Sequence, residues 1–413
     1  MTRSYRRTTF SCFIGIFVQA IITNLTAILF IPMMDLYGFG YVHLGILVGL
    51  NFTSQVSADL FLSAIVDRTG YRRLVLPACV LAFVGLLFFG LSPALFPGHV
   101  FAGIVVATIV FAFSSGLLEV LLSPIVAAIP GSDKGPAMSL MHSFYAWGQV
   151  ATIILTSLAV FLFGGAAWPY IAMLWAVVPL AAFLLFVGAP FPEIIPDEHR
   201  QNLKDLIFQP FYLLALLAIL AGGASEIVMN QWSSTFMERG LSLPKLTGDL
   251  VGMCGFAAML GLGRLLHGSF GARFDIHRIL VAGSLLAAGC YVVVALSPWS
   301  ALSIAACILC GFAVSLLWPG TLVVSSDRFP LAGAWMFAIL AVAGDVGAAI
   351  GPWITGQVID ANLDSPVARL ISDTLGVSME QGAIRFGLLV AVVFPLVAFV
   401  VHRKLGRMSG VKK

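Results

Sequence analysis

Apolar residues come in long blocks separated by short polar breaks, and each block can cross a hydrocarbon core, which takes about 20 helical residues. The pattern predicts twelve helical spans, over about 9–33, 42–66, 73–93, 99–129, 137–164, 168–190, 208–237, 246–270, 277–296, 300–326, 332–359 and 382–404. The break between the sixth and seventh, PFPEIIPDEHRQNLKDL, is the longest apart from the one before the last span. It reads as a linker, so the expected organisation is an amino-terminal bundle over 1–190, a cytoplasmic linker over 191–207 and a carboxy-terminal bundle over 208–413.

Composition agrees with a bilayer. Of 413 residues, 60% are hydrophobic and only 10% charged, and the mean hydropathy is +1.02. A soluble domain of this length needs more charge to cover its surface. Gly 41 and Pro 20 suit membrane helices, where small residues let backbones approach and neighbours re-satisfy broken hydrogen bonds. The six cysteines all lie in apolar stretches. Cys307 and Cys310 form a CxxC inside an apolar helix, where they read as small core residues. The basic start, MTRSYRRTTF, runs into the first block without a small-residue cleavage site and reads as an uncleaved first span.

Charge placement gives orientation. Of the 22 lysines and arginines, only Arg239, Lys245, Arg369 and Arg385 fall outside the termini and even-numbered loops. By the positive-inside rule both termini are expected in the cytoplasm. The two halves also repeat. Gly116…Leu121-Leu122-Ser123-Pro124 recurs as Gly311…Leu316-Leu317-Trp318-Pro319, 195 positions later, and Asp133-Lys134 is echoed by Asp327-Arg328. A parallel repeat of this kind implies halves related by an axis along the membrane normal, with a ligand site near mid-membrane.

The loop after the second span reads Ser63-Ala-Ile-Val-Asp67-Arg68-Thr-Gly70-Tyr-Arg72-Arg73. It resembles the G-x-x-x-D-R-x-G-R-R signature of the major facilitator superfamily. Asp67, Arg68, Gly70, Arg72 and Arg73 are therefore candidates for a cytoplasmic gate that bridges the halves in one state and releases in another. Within the superfamily the chain is most similar to the fucose–galactose–glucose proton symporter group. The similarity is carried by Gly116-Leu-Leu-Glu119-Val-Leu-Leu-Ser123-Pro124, Leu140-Met-His142-Ser-Phe144-Tyr-Ala-Trp-Gly148, Gly223-Ala-Ser-Glu226, Gly263-Arg264-Leu-Leu-His-Gly268 and Trp318-Pro319. It implies an all-α membrane protein with twelve transmembrane helices in two pseudo-symmetric six-helix bundles, placed in a bacterial inner membrane. The departures are specific. Asn24-Leu25-Thr26-Ala27-Ile28-Leu29 stands where a fucose transporter of the group carries N-L-N-D-I-L, so Ala27 replaces a proton-linked aspartate. Ser123 replaces an asparagine beside the fourth-span proline.

An acid at bilayer depth is protonated, partnered or functional. Glu119, near the middle of the fourth span, is the foremost proton-coupling candidate, with His142 able to pass protons to it. Glu226 is the second acid, read for protons or substrate. Asp345, among small residues, reads as a packing acid, and Asp59 as a gate or interdomain contact. His142, Tyr145 and Gln149 share one face of the fifth span by i, i+3, i+7 spacing. Asn51 and Gln55 do so in the second, and Gln19 lies near Asn24 in the first. Together with Glu226, Asn230 and Trp318 these are the substrate-binding candidates: amides offer donor and acceptor together, and rings cover C–H faces. Each alone is more often glue between helices. Arg264 is expected at the cytoplasmic end of the eighth span.

The function these residues favour is secondary active transport, as proton-coupled symport of a sugar or sugar-like solute, with the proton as coupling ion and no cofactor or metal. Alternatives are a facilitative uniporter and an exporter of drugs or amphiphiles, although the fifth span lacks the G-x-x-x-G-P-x-x-G-G of proton-driven exporters. A receptor or scaffold would need a sizeable extramembrane domain, and the largest polar stretches are the linker and residues 361–380. Phosphate loops, HExxH and GxSxG are absent, which argues against an enzyme. The expected partners are a small-molecule substrate and membrane lipid, with no nucleic acid, and the expected state is a monomer.

Overall fold

A computed structural model describes residues 5–39, 41–130, 134–192, 206–244, 247–332 and 334–409. Among them eleven helical stretches are long and apolar enough to cross a bilayer by length and composition. The second expected span is the helix Tyr41–Thr69, whose described apolar stretch is the shorter Ile46–Leu62. Helices are the solution this composition dictates, because a backbone in hydrocarbon must satisfy its own hydrogen bonds.

Contacts divide the chain into two compact units, the first formed by residues 1–203 with 331–342 and the second by 204–330 with 343–413. The expected linker falls largely on residues outside the described set. The first unit contains α1 (Arg6–Tyr37), α2 (Tyr41–Thr69), α3 (Tyr71–Leu95), α4 (Val100–Ala127), α5 (Lys134–Phe163) and a sixth span interrupted at Ala176 into α6 (Trp168–Trp175) and α7 (Val177–Val187). The interruption has a cause in sequence: Pro179 brings no N–H to the carbonyl of Trp175. The second unit contains α8 (Pro210–Thr235), α9 (Cys254–Phe270), α10 (Ile276–Leu296), α11 (Ser300–Val314), α12 (Leu317–Arg328), α14 (Pro366–Leu375), α15 (Met379–Val390) and α16 (Val393–Met408). Between them in sequence, α13 (Ala334–Ala361) has its first residues grouped with the first unit and the rest with the second.

Two features add detail to the expected spans. Residues 361–380 hold a helix, α14, started by a Ser365 side chain that accepts from the Ala368 amide and stopped by Gly376 at φ 66°. Its Ser-Pro start and Gly stop are ordinary cap signals, but the helix is too short and polar to register as a span. The tenth span is interrupted beside Trp318-Pro319, where the sequence allows either a broken helix or packing at a kink, with α11 ending at Val314 and α12 beginning at Leu317.

The internal repeat has a physical counterpart. A Cβ on Gly116 would come within 2.6 Å of the Gln55 carbonyl oxygen, so α4 lies backbone to backbone on α2. A Cβ on Gly311 would run into the Phe256 carbonyl, so α11 meets α9 in the same way. The repeated glycine thus marks the closest approach between the second and fourth spans of each half.

At the end of the sixth span, basic residues take the carbonyls that a helix terminus leaves without donors. Arg7 donates to Leu185 O at 3.0 Å and Leu184 O at 3.1 Å, the Thr8 hydroxyl donates to Pro190 O, and Arg72 donates to Ala189 O at 2.6 Å. Cations here also meet the negative end of the helix dipole.

Gly311→Ala is expected to lower stability by about 1–3 kcal/mol through overpacking. Gly289→Ala, at a position with nothing within 4 Å, should change it little. Thermal unfolding of the two variants in detergent would check the difference.

Candidate functional site

The first unit gathers its polar side chains on α1, α2, α4 and α5. The Gln19 amide donates to the Glu119 carboxyl, joining α1 to α4 across a separation of 100 residues. Gln19 is buried and Glu119 half-buried. Beside them, Gln55 donates to Asn51 Oδ1 at 2.7 Å, Ser115 Oγ donates to Gln55 Oε1 at 3.1 Å, and Asn51 Nδ2 reaches the Ile22 carbonyl at 3.3 Å. The amides on one face of α2 therefore tie together α1, α2 and α4. Asn24 spends its amide within α1, on Ala20 O at 2.8 Å. On α5, His142 Nε2 lies 3.3 Å from Ser123 Oγ, one helical turn along α4 from Glu119. Gln149 is buried and Tyr145 half-buried on the same helix. The departures from the fucose-transporter pattern also have places: Ser123 partners His142, and Ala27 is exposed.

The second unit builds around a charge pair. Arg264 Nη2 donates to Glu226 Oε2 at 2.8 Å and to Oε1 at 3.0 Å, linking α9 to α8. Arg264 is 3% exposed and Glu226 6%, so this arginine, expected toward the cytoplasmic end of the eighth span, has its guanidinium inside the bundle. The charge pattern places basic residues by distance from a span's end and has no means of seeing a partner on another helix. The same guanidinium sends Nε to the Ser315 carbonyl at 2.9 Å. This carbonyl has a reason to be available. In an α-helix it would accept from residue 319, which is proline and carries no N–H. Sequence reasoning noted Trp318-Pro319 as a motif and missed its consequence four residues upstream.

Trp318 is half-buried and packs against two glycines. A Cβ on Gly344 would collide with its ring, and one on Gly223 would approach it to 3.1 Å. Those glycines sit on α13 and α8, which approach closely enough that a Cβ on Gly347 would strike the Leu220 carbonyl. Asn230, one turn beyond Glu226, is buried, and its carbonyl accepts from Ser233 Oγ at 2.9 Å. Asp345 is buried on α13 and Asp59 on α2.

Of the gate candidates, the side chains of Asp67 and Arg68 lie outside the described residues. Gly70 begins α3 at φ 91°, a conformation that favours glycine. Arg72 caps the sixth span and lies 5.4 Å over the Phe191 ring, while Arg73 is exposed. A second buried arginine, Arg385, donates to the carbonyls of Val294, Ala295 and Ser297 at 3.0–3.3 Å, at the end of α10. Among the described residues no cluster of three or more His, Cys, Asp or Glu could hold a metal ion.

Removing one member of the Glu226–Arg264 pair strands a buried charge, so Arg264→Met is expected to cost about 3–5 kcal/mol. Glu226→Leu in the same chain should recover part of that loss. A double-mutant cycle on thermal unfolding would measure both terms.

No curated protein sequence matches the chain. Solved structures do. FucP, described as a Major Facilitator Superfamily transporter in the outward conformation, aligns with a TM-score of 0.76 at 16% identity, over 98% of this chain and 99% of that one. A second structure of FucP, described as the E. coli fucose:proton symporter, gives 0.72 at 17% over 98% and 99%. The proton:xylose symporter XylE, bound to 6-bromo-6-deoxy-D-glucose, gives 0.78 at 13% over 96% and 95%. At these identities the likeness is one of fold. The family model of the Major Facilitator Superfamily matches residues 12–352, and with that match over most of its length this helical membrane transporter belongs to the Major Facilitator Superfamily.

Proposed function

We propose that the protein is a secondary active transporter that moves a sugar or sugar-like polar solute together with protons, by alternating access. The observation that carries this reading is the bond between Gln19 and Glu119. An amide N–H can donate to a carboxylate or to the carbonyl oxygen of a carboxylic acid. The pair therefore holds its geometry while a proton arrives and leaves, which is what a coupling group requires. Glu226 differs: both its oxygens accept from the Arg264 guanidinium, an engagement that suits positioning better than proton exchange. In the same unit, the amides of Asn51, Gln55 and Gln149, the imidazole of His142 and the ring of Tyr145 are the mixed donors, acceptors and flat faces that a polyhydroxylated ligand uses. The fold likeness to a fucose:proton and a proton:xylose symporter supports the same class.

The placement of basic residues supports a bacterial inner-membrane location with both termini in the cytoplasm. Nothing in the reading requires more than a monomer, and it calls for no cofactor. A facilitative uniporter is the second reading, and Ala27 favours it, because similar fucose transporters carry an acid there.

Purified protein in liposomes, offered a labelled sugar panel with and without an imposed inward proton gradient, tests the proposal. The wild type should accumulate at least one sugar only with the gradient. Glu119→Gln should lose accumulation and keep sugar exchange. Gradient-driven accumulation that survives Glu119→Gln would remove Glu119 from the mechanism, and wild-type uptake indifferent to the gradient would select the uniporter.

A further inference from the structure

The second unit contains a device that the transport proposal does not use. The tenth span breaks between Val314 and Leu317, and the break presents Trp318. At such a break a carbonyl inside the bundle needs a donor from elsewhere. Pro319 removes the helix's own donor for Ser315 O, and Arg264 Nε supplies a replacement from α9 at 2.9 Å. The guanidinium is planar and its nitrogens are fixed relative to one another. Holding Nη2 against both oxygens of Glu226 therefore also sets where Nε points. The neighbouring backbone leaves little slack: a Cβ on Gly263, one residue before Arg264, would meet Ser315 Oγ, and one on Gly222 would come within 3.0 Å of Leu317 Cβ. The break is thus fastened to α8 and α9 together.

We propose that Arg264 is a positioning residue for the broken tenth span: anchored by Glu226, it supplies the hydrogen bond that Pro319 withholds from Ser315, and so fixes the break and the Trp318 it carries. Lysine cannot replace it, because one ammonium on a flexible stem does not present two fixed directions. The role follows from the backbone chemistry of the break and holds whatever solute the protein carries.

Hydrogen exchange of the full chain in lipid nanodiscs, without added substrate, tests this. Arg264→Gln, whose side chain can still bond Glu226, should speed exchange of the amides flanking the break, Leu316–Trp318 and Gly320–Thr321, by about ten- to a hundredfold more than that of distant spans, the effect of losing one charge-assisted hydrogen bond. Arg264→Lys should do nearly the same. Pro319→Ala restores an N–H to the helix, so adding Arg264→Gln to Pro319→Ala should produce little further change. A rise of equal size in both backgrounds, or one spread evenly over the second unit, would overturn the proposal. Where Arg264→Gln fails to fold, Glu226→Gln provides the same comparison: a local rise that Pro319→Ala suppresses supports the assignment, and one that it does not suppress overturns it.

Discussion

A peptide carbonyl inside a hydrocarbon layer has no water to accept from, and much of this molecule is arranged around that fact. Most carbonyls are satisfied within continuous helices. At three places where proline or a helix end interrupts the ladder, side chains from another helix fill the gap. Arg264 reaches Ser315, Arg385 reaches the end of α10, and Arg7, Thr8 and Arg72 reach the end of the sixth span. Arginine recurs because several donors on one rigid plane can serve more than one acceptor.

The two halves answer a shared topology with different chemistry. In each, the first, second and fourth spans are cross-linked by polar groups beside a glycine contact. In the first unit the links are amides and a hydroxyl around Glu119, neutral groups that tolerate a change in the acid's charge. In the second they are an ion pair and a backbone carbonyl, whose geometry depends on both charges staying in place. The repeat keeps the scaffold and varies the chemistry: one half is linked through neutral groups around a single acid, and the other through a charge pair.

How much of this was legible in the sequence follows from what each signal measures. Hydropathy reports span number, and the repeated Gly116 and Gly311 announced the contact they make. The residues of the first cluster were all readable as polar groups at membrane depth. Their pairing was not, because Gln19 and Glu119 lie far apart in sequence and nothing local links them. The partners of Arg264 were hidden for a related reason: charge counting treats any arginine toward the end of a span as a loop marker and carries no information about an acid on another helix. The missing clue was Pro319, since a proline inside a span implies an unclaimed carbonyl and hence a donor elsewhere. The cap signals of α14 were present, but a search tuned to twenty apolar residues passes over a ten-residue polar helix.

The arginines at the end of the sixth span carry two messages in the same atoms. On the topology proposed from the basic residues, Arg7 and Arg72 belong to the charge asymmetry that would orient the chain during insertion, and they also close the last turn of a helix that lies later in the sequence than either of them. Whatever fixes topology early is kept afterwards as structure. Charge-swapping at these positions would therefore alter insertion and folding together, whereas a lysine in either place would keep the orienting charge and relinquish the fork.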